Sequence, residues 1–357
     1  MLIKRIACCV AVLLAGVARA QAPAPLPMLH TEGTKWLAAD GAQPALRGVN
    51  LGNYLIQEFW MMGQQTKAVG DQCKLEAVLD QRFGYEERQR LYTLFRDNWI
   101  TERDWDMLPR LNLNLVRLPF IYSVVEDEKN PRHLRADAWK YLDNAIEQAE
   151  KRGIYVILDL HGAVGSQGWE HHSGCAGRNR YWDTPEYQQR TIWLWQQIAA
   201  RYKDRGAVAG YSILNEPWGT TPENMAAVMR TLYTAIREVD QNHVIILPGH
   251  VKGIDAYGKP SDHGCATSPS RCIPIPAISA GASRDWRCTG PGCNAPAKVT
   301  ACASGSGSWR RSIPPFSSAS SSRGPSWERS SAARCCGRLT TPMSPTAGPR
   351  PRGPTRW

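Results

Sequence analysis

Asn50, Asn53, Arg117, Asp159, His161, Asn215 and Glu216 stand at or near the C-terminal ends of short β-rich runs. Together they offer carboxyls, an imidazole, a guanidinium and amides, the donors and acceptors of a site that holds polar groups and moves protons. The runs are Leu-Arg-Gly-Val-Asn at 46–50, Leu-Val-Arg-Leu-Pro at 115–119, Tyr-Val-Ile-Leu-Asp at 155–159, Gly-Tyr-Ser-Ile-Leu-Asn at 210–215 and Val-Ile-Ile-Leu-Pro at 244–248. Most are nearly continuous apolar stretches, the pattern of parallel strands covered by helices on both faces. Helical patterns lie between them, over 74–98, from Thr101 with Asp104 three residues on, and over 136–152, 185–202 and 222–239. Strand then helix, repeated, is the order of an α/β protein with a parallel sheet. A doubly wound sheet and a (β/α)8 TIM barrel share that order. No Gly-rich phosphate loop follows the first strand. In a barrel all the strand ends converge on one face, where barrel enzymes keep their active sites. The ring of polar strand ends therefore predicts a (β/α)8 barrel.

The formal charge is +11, yet residues 265–357 hold twelve Arg and Lys298 against only Asp285 and Glu328, so the first 264 residues are neutral overall. That distribution argues against nucleic acid or a membrane surface as the partner of the body. At the N-terminus Lys4 and Arg5 precede an apolar run over 6–17 and then Ala18-Arg19-Ala20, the pattern of a secretory signal peptide cut after Ala20. The run is too short to span a bilayer, which takes roughly 20 apolar residues. A secreted or periplasmic, soluble mature protein is expected. In an oxidising compartment Cys73 and Cys175 could pair.

The segment Tyr-Ser-Ile-Leu-Asn-Glu-Pro-Trp at 211–218 resembles the strand-four signature of glycoside hydrolase family 5, the cellulase-like retaining β-glycosidases. Three stretches agree with that resemblance in order: Leu-Arg-Gly-Val-Asn-Leu-Gly-Asn-Tyr-Leu-Ile-Gln-Glu at 46–58, Asn-Leu-Val-Arg-Leu-Pro at 114–119 and Asp-Leu-His-Gly-Ala-Val-Gly-Ser-Gln at 159–167. The first and last look most like the exo-β-1,3-glucanase branch. The resemblance implies hydrolysis of β-glucans, β-1,3-linked ones favoured, without cofactor or metal. Retaining hydrolysis takes two carboxyls about 5 to 5.5 Å apart, one a proton donor and one a nucleophile. By family match Glu216 is the acid/base, and Asn215 binds the sugar 2-hydroxyl. Arg117 lies beneath the nucleophile and keeps it ionised, while His161 and Glu58 hold sugar hydroxyls. Trp60, Trp169 and Trp218 are candidate stacking platforms, which burial in a core would explain equally. Glu170, His171 and His172 fall in a loop that does not align with the family, and their spacing matches no zinc pattern.

One feature of the family is missing: no nucleophile carboxylate and no His-x-Tyr follow residue 264. Residues 265–357 hold 13 of the 25 prolines and runs of serine, a composition that is either a disordered basic tail or GC-rich DNA read out of register. With codons chosen freely, a shifted frame can turn 314–325 into a peptide containing Gly-Glu-Phe, 269–282 into one containing His-Pro-Tyr, and 339–357 into one containing Ala-Trp-Thr. These fall in family order, and loss of one base after the Gly264 codon suffices. The expected organisation is a signal peptide over 1–20, the N-terminal part of an incomplete barrel over 21–264, and an out-of-frame or disordered segment over 265–357. A carbohydrate-binding pseudoenzyme and a basic-tailed protein binding anionic polymers are the alternatives.

Overall fold

The computed structural model describes residues 25–250, 253–258 and 272–275. The expected signal peptide and most of 265–357, Asp285 and Glu328 included, lie outside the described residues. An antiparallel hairpin, β1 (Leu29–Glu32) and β2 (Lys35–Ala38), precedes a six-stranded parallel sheet. The sheet runs β3 (Gly48–Asn50), β4 (Leu115–Ile121), β5 (Tyr155–Gly162), β6 (Val208–Ser212), β7 (Val244–Pro248) and β8 (Cys272–Ile275), with neighbours in chain order throughout. A doubly wound sheet reverses its strand order at a switch point. This sheet has no reversal among its described strands, as a barrel wall requires.

The strands form where apolar residues run on without a break. In β5 all eight residues but Ile157 are buried, and in β6 all five are. The hairpin was not foreseen in the sequence, because its two strands are only four residues each. It joins Leu29 and Ala38 to Leu46, Leu115, Tyr155 and Ala209 in a small apolar cluster at the N-terminal ends of the strands. Tyr155 Oη fixes it there by donating to Pro27 O at 3.0 Å. Gly206 is needed at this junction, since a Cβ there would lie 1.9 Å from Leu26 O.

The helices follow their capping signals. The stretch 74–98, expected as one helix, is two, α1 (Gln72–Phe83) and α2 (Tyr85–Trp99), broken by Gly84 at φ 83°. Only a residue without Cβ adopts that backbone cheaply, so one glycine outweighs the continuing helical pattern. Asp71 caps α1 by accepting from Lys74 N at 2.9 Å. α3 (Glu102–Arg110) opens with the expected capping box of Thr101 and Asp104. α4 (Lys140–Glu150) is shorter than its pattern, whereas α5 (Pro185–Tyr202) fills its own and α6 (Pro222–Arg237) stops two residues early. Both α5 and α6 start on proline, whose missing N–H costs nothing in the first turn. The main core lies between helices and sheet, with Trp195 of α5 against Phe120 of β4 and Tyr211 of β6 at ring-centroid distances of 6.2 and 5.5 Å.

β8 belongs to the segment whose composition suggested disorder or a shifted frame. Its four residues add in parallel to the edge of β7, from Cys272 opposite Ile245 to Ile275 opposite Pro248.

Candidate active site

The C-terminal ends of β3 to β6 carry the polar residues onto one face. Asn50, Arg117 and Ile157 share a register across β3, β4 and β5, and Pro119, Asp159 and Ser212 share the next level across β4, β5 and β6. Arg117 Nη2 donates to Asp159 Oδ1 at 2.6 Å and to Asn215 Oδ1 at 2.7 Å, and Nη1 to Asn50 Oδ1 at 3.4 Å. The other Asp159 oxygen meets His161 Nδ1 at 2.7 Å. His161 Nε2 lies 3.3 Å from Glu58 Oε1, and Glu58 Oε2 accepts from Trp60 Nε1 at 2.9 Å. A continuous chain of charge-assisted contacts thus crosses the sheet from Arg117 to Trp60 through Asp159, His161 and Glu58. Two positive and two negative groups alternate in it, so burial of each charge is offset by its neighbours.

The protonation states follow from this order. Asp159 is fully buried, which alone would raise its pKa, but Arg117 and His161 hold it below the ordinary carboxylate value. Burial would likewise depress His161, yet its hydrogen bonds to Asp159 and Glu58 carry it above the ordinary histidine value. Glu58 is lowered, because His161 and Trp60 outweigh its desolvation. Glu216 goes the other way: burial, reinforced by the charges of Glu58 and Asp159, raises it despite the opposing pull of His161 and Arg117. One carboxyl of the site is therefore biased toward keeping its proton while its neighbours stay ionised, the arrangement that separates an acid from bases.

Two backbone conformations aim these groups. Glu216 has φ 40° and Asn53 φ 59°, left-handed values that non-glycine residues adopt at a cost of order 1–3 kcal/mol each. Asn53 recovers part of that cost, its Oδ1 accepting from Glu58 N at 2.7 Å. Glu216 is held by His172, whose Nδ1 lies 3.5 Å from Glu216 Oε2 and whose Nε2 lies 3.2 Å from Glu216 O.

Asn50, Asn53, Glu58, Trp60, Arg117, Asp159, His161 and Asn215 are joined by these contacts, and Glu216 is held beside them by His172. Trp60 and Trp169 are exposed, at 40 % and 57 %, so neither is a core residue. Trp169 lies beyond Glu216, its Nε1 2.9 Å from where a Cβ on Gly219 would stand, and Trp218 is half-buried against His172 with ring centroids 5.6 Å apart. The histidines of the unaligned loop belong to the site: His172 touches Glu216, and His171 Nε2 is 3.6 Å from Glu58 Oε2. Both sit on a 3-10 turn, His171–Ser173, whose position only the fold reveals. The turn is pinned by the Cys73–Cys175 disulfide, Cα to Cα 5.0 Å, and by Cys73 N donating to Gly174 O at 2.9 Å. Gln167, last residue of the 159–167 motif, is a site residue that its spacing in the sequence does not mark. Fully buried, its amide donates to His161 O at 2.7 Å and Asn215 O at 2.8 Å and accepts from Ala163 N at 3.1 Å, tying the ends of β5 and β6 together.

The model of the cellulase family, glycosyl hydrolase family 5, matches residues 81–273. A β-xylosidase of Phanerodontia chrysosporium is 35 % identical over 229 residues, which are 64 % of this chain and 47 % of that protein. A probable glucan 1,3-β-glucosidase A of Aspergillus niger is 29 % identical over 216 residues, 60 % of this chain and 51 % of that protein. The chain thus spans about half the length of the curated relatives it matches. Among solved structures, rutinosidase from Aspergillus niger superposes with a TM-score of 0.51 at 17 % identity, over 64 % of this chain and 67 % of that one. This likeness shows the fold. The chain belongs to glycosyl hydrolase family 5, and its parallel sheet is part of that family's (β/α)8 barrel.

Proposed function

We propose that the face built around Glu216 is the acid/base half of a retaining β-glycosidase cleft that hydrolyses O-glycosidic bonds of β-glucans, β-1,3-linked ones favoured. The observation that carries this is the placement of Glu216, directly after Asn215 on the face where Arg117, Asp159, His161 and Glu58 are joined; there burial biases its carboxyl toward the acid form while Asp159 and Glu58 are biased toward ionisation. Glu216 would protonate the leaving oxygen and then, as a carboxylate, deprotonate the incoming water. Asn215, its oxygen engaged by Arg117 and its amide nitrogen 3.2 Å from His161 Nε2, keeps one further N–H to offer a sugar hydroxyl. His161 and Glu58 form the wall of the subsite at the cleaved bond, with Trp60 and Trp169 as exposed faces for sugar rings. The glucan 1,3-β-glucosidase relatives support the glucan assignment. The 35 % identity to a β-xylosidase supports a second substrate class, β-xylosides.

The nucleophile would come from beyond residue 264, and we propose that the sequence there is an out-of-frame continuation of the barrel gene. The chain as written would then bind sugar and fail to cleave it. On the leader sequence we place the mature protein outside the cytoplasm, and the Cys73–Cys175 disulfide supports an oxidising compartment. Calorimetry with laminari- and xylo-oligosaccharides, beside a hydrolysis assay of the full chain and of its frame-restored counterpart, tests the proposal. Binding by both with cleavage only by the restored chain is expected. Turnover by the chain as written would overturn the missing-nucleophile account. A restored chain inert on every β-glycoside would overturn the glycosidase assignment and leave a binding protein.

A further inference from the structure

His172 is 4 % exposed and touches Glu216 twice. Its Nε2 stands 3.2 Å from the Glu216 backbone oxygen, and a carbonyl oxygen only accepts, so Nε2 is the nitrogen that carries hydrogen. In a neutral imidazole the lone pair then belongs to Nδ1, which lies 3.5 Å from Glu216 Oε2. A protonated Glu216 can donate to that lone pair with a shift of a few tenths of an ångström, whereas an ionised one faces it acceptor to acceptor. Such closing is ordinary for apo sites. Gly168 leaves the room for this contact, since a Cβ there would lie 3.1 Å from His172 Nε2 and 3.4 Å from Glu216 O.

We infer that His172 is a positioning residue for Glu216: anchored through Nε2–H to the Glu216 backbone, it presents a bare Nδ1 to the Glu216 carboxyl and holds that carboxyl in its protonated, proton-donating form. The inference rests on Glu216 being the acid/base. The surroundings keep His172 itself neutral, because burial and the neighbouring His161 imidazolium push its pKa down to about 4. The other charged groups acting on Glu216 are Glu58 from the loop after β3, Arg117 from β4, and Asp159 and His161 from β5. His161 and Arg117 favour ionisation of Glu216, so an acceptor that favours the acid form has something to oppose.

NMR of the full chain tests this without any need for turnover. With 15N-histidine labelling, His172 is expected as the neutral Nε2–H tautomer down to about pH 5, a unit above its depressed value. With 13C-glutamate labelling, the Glu216 signal, assigned by its absence in Glu216→Gln, is expected to titrate above the ordinary glutamate value. In His172→Phe, which keeps a ring against Trp218, that midpoint is expected to fall by about one unit, a tenfold loss of proton affinity. His172→Gln, whose amide N–H can face the carboxylate, is expected to lower it too and decides the matter if the Phe variant does not fold. A His172 proton on Nδ1, or a Glu216 midpoint that does not fall in whichever variants fold, would overturn the inference. Failure of Glu216 as the acid/base would show separately, as glycoside hydrolysis undiminished in a frame-restored Glu216→Gln.

Discussion

Asp159 is the fully buried carboxylate that bridges Arg117 to His161. Asp159→Asn should leave the buried His161 imidazolium and the half-buried Arg117 guanidinium short of their counterion and cost about 3 kcal/mol, read as a lower urea midpoint at unchanged m-value. The two site histidines should respond to pH in opposite senses. His161 is raised by its carboxylate partners, so the stability it adds is full below its unfolded value of about 6.5 and is lost as pH climbs through the folded one. Chemical denaturation should show the advantage of wild type over His161→Gln shrinking above that pH. His172 is depressed to about 4, so it binds its proton in the unfolded state first and costs stability as pH falls from about 6.5 toward 4. His172→Phe should lose less stability than wild type over that window, and an equal loss would contradict a buried neutral ring. Residues on the strands were legible in the sequence because strand ends in a barrel converge whatever the loops do. His171, His172 and Gln167 were not, since loop residues are placed by tertiary contacts rather than by spacing.

The loop after β5 depends on the disulfide for its place. Cys73 and Cys175 close a loop of 102 residues, for which chain entropy gives a stabilisation of about 4–5 kcal/mol. Cys175 is also three residues from His172. Cys73→Ser with Cys175→Ser should therefore lower stability by roughly that amount, and it should speed hydrogen exchange in 168–178 more than in β4 or β5. Uniform acceleration would mean that the bridge serves the fold alone. At this scale the sequence was informative wherever a local signal had a single meaning: Pro185 and Pro222 opened α5 and α6, and Thr101 with Asp104 opened α3. It misled at Gly84, where periodicity ran on across a residue that backbone geometry had set aside for a break. The hairpin of β1 and β2 carries no such local signal, because its strands are held by the ends of β4, β5 and β6, contacts remote in sequence.

For the molecule as a whole, a neutral family 5 body and a strongly basic C-terminal stretch are hard to reconcile as one product of selection. On the frameshift account the barrel wall would stop short, leaving an unpaired strand edge and an uncovered interior, a liability that natural sheets avoid. Sequencing the coding DNA across codons 258–270 should reveal one additional base after the Gly264 codon, and an unbroken match to the present frame would contradict the frameshift account. The most direct test of the central claim uses the frame-restored protein, comparing wild type with Glu216→Gln on laminarin and on an aryl β-glucoside whose leaving group needs no proton. If Glu216 is the general acid, the variant should lose about 10²- to 10⁴-fold on laminarin and far less in the first step on the activated substrate. Equal losses on both substrates, or no loss on laminarin, would contradict the role assigned to Glu216.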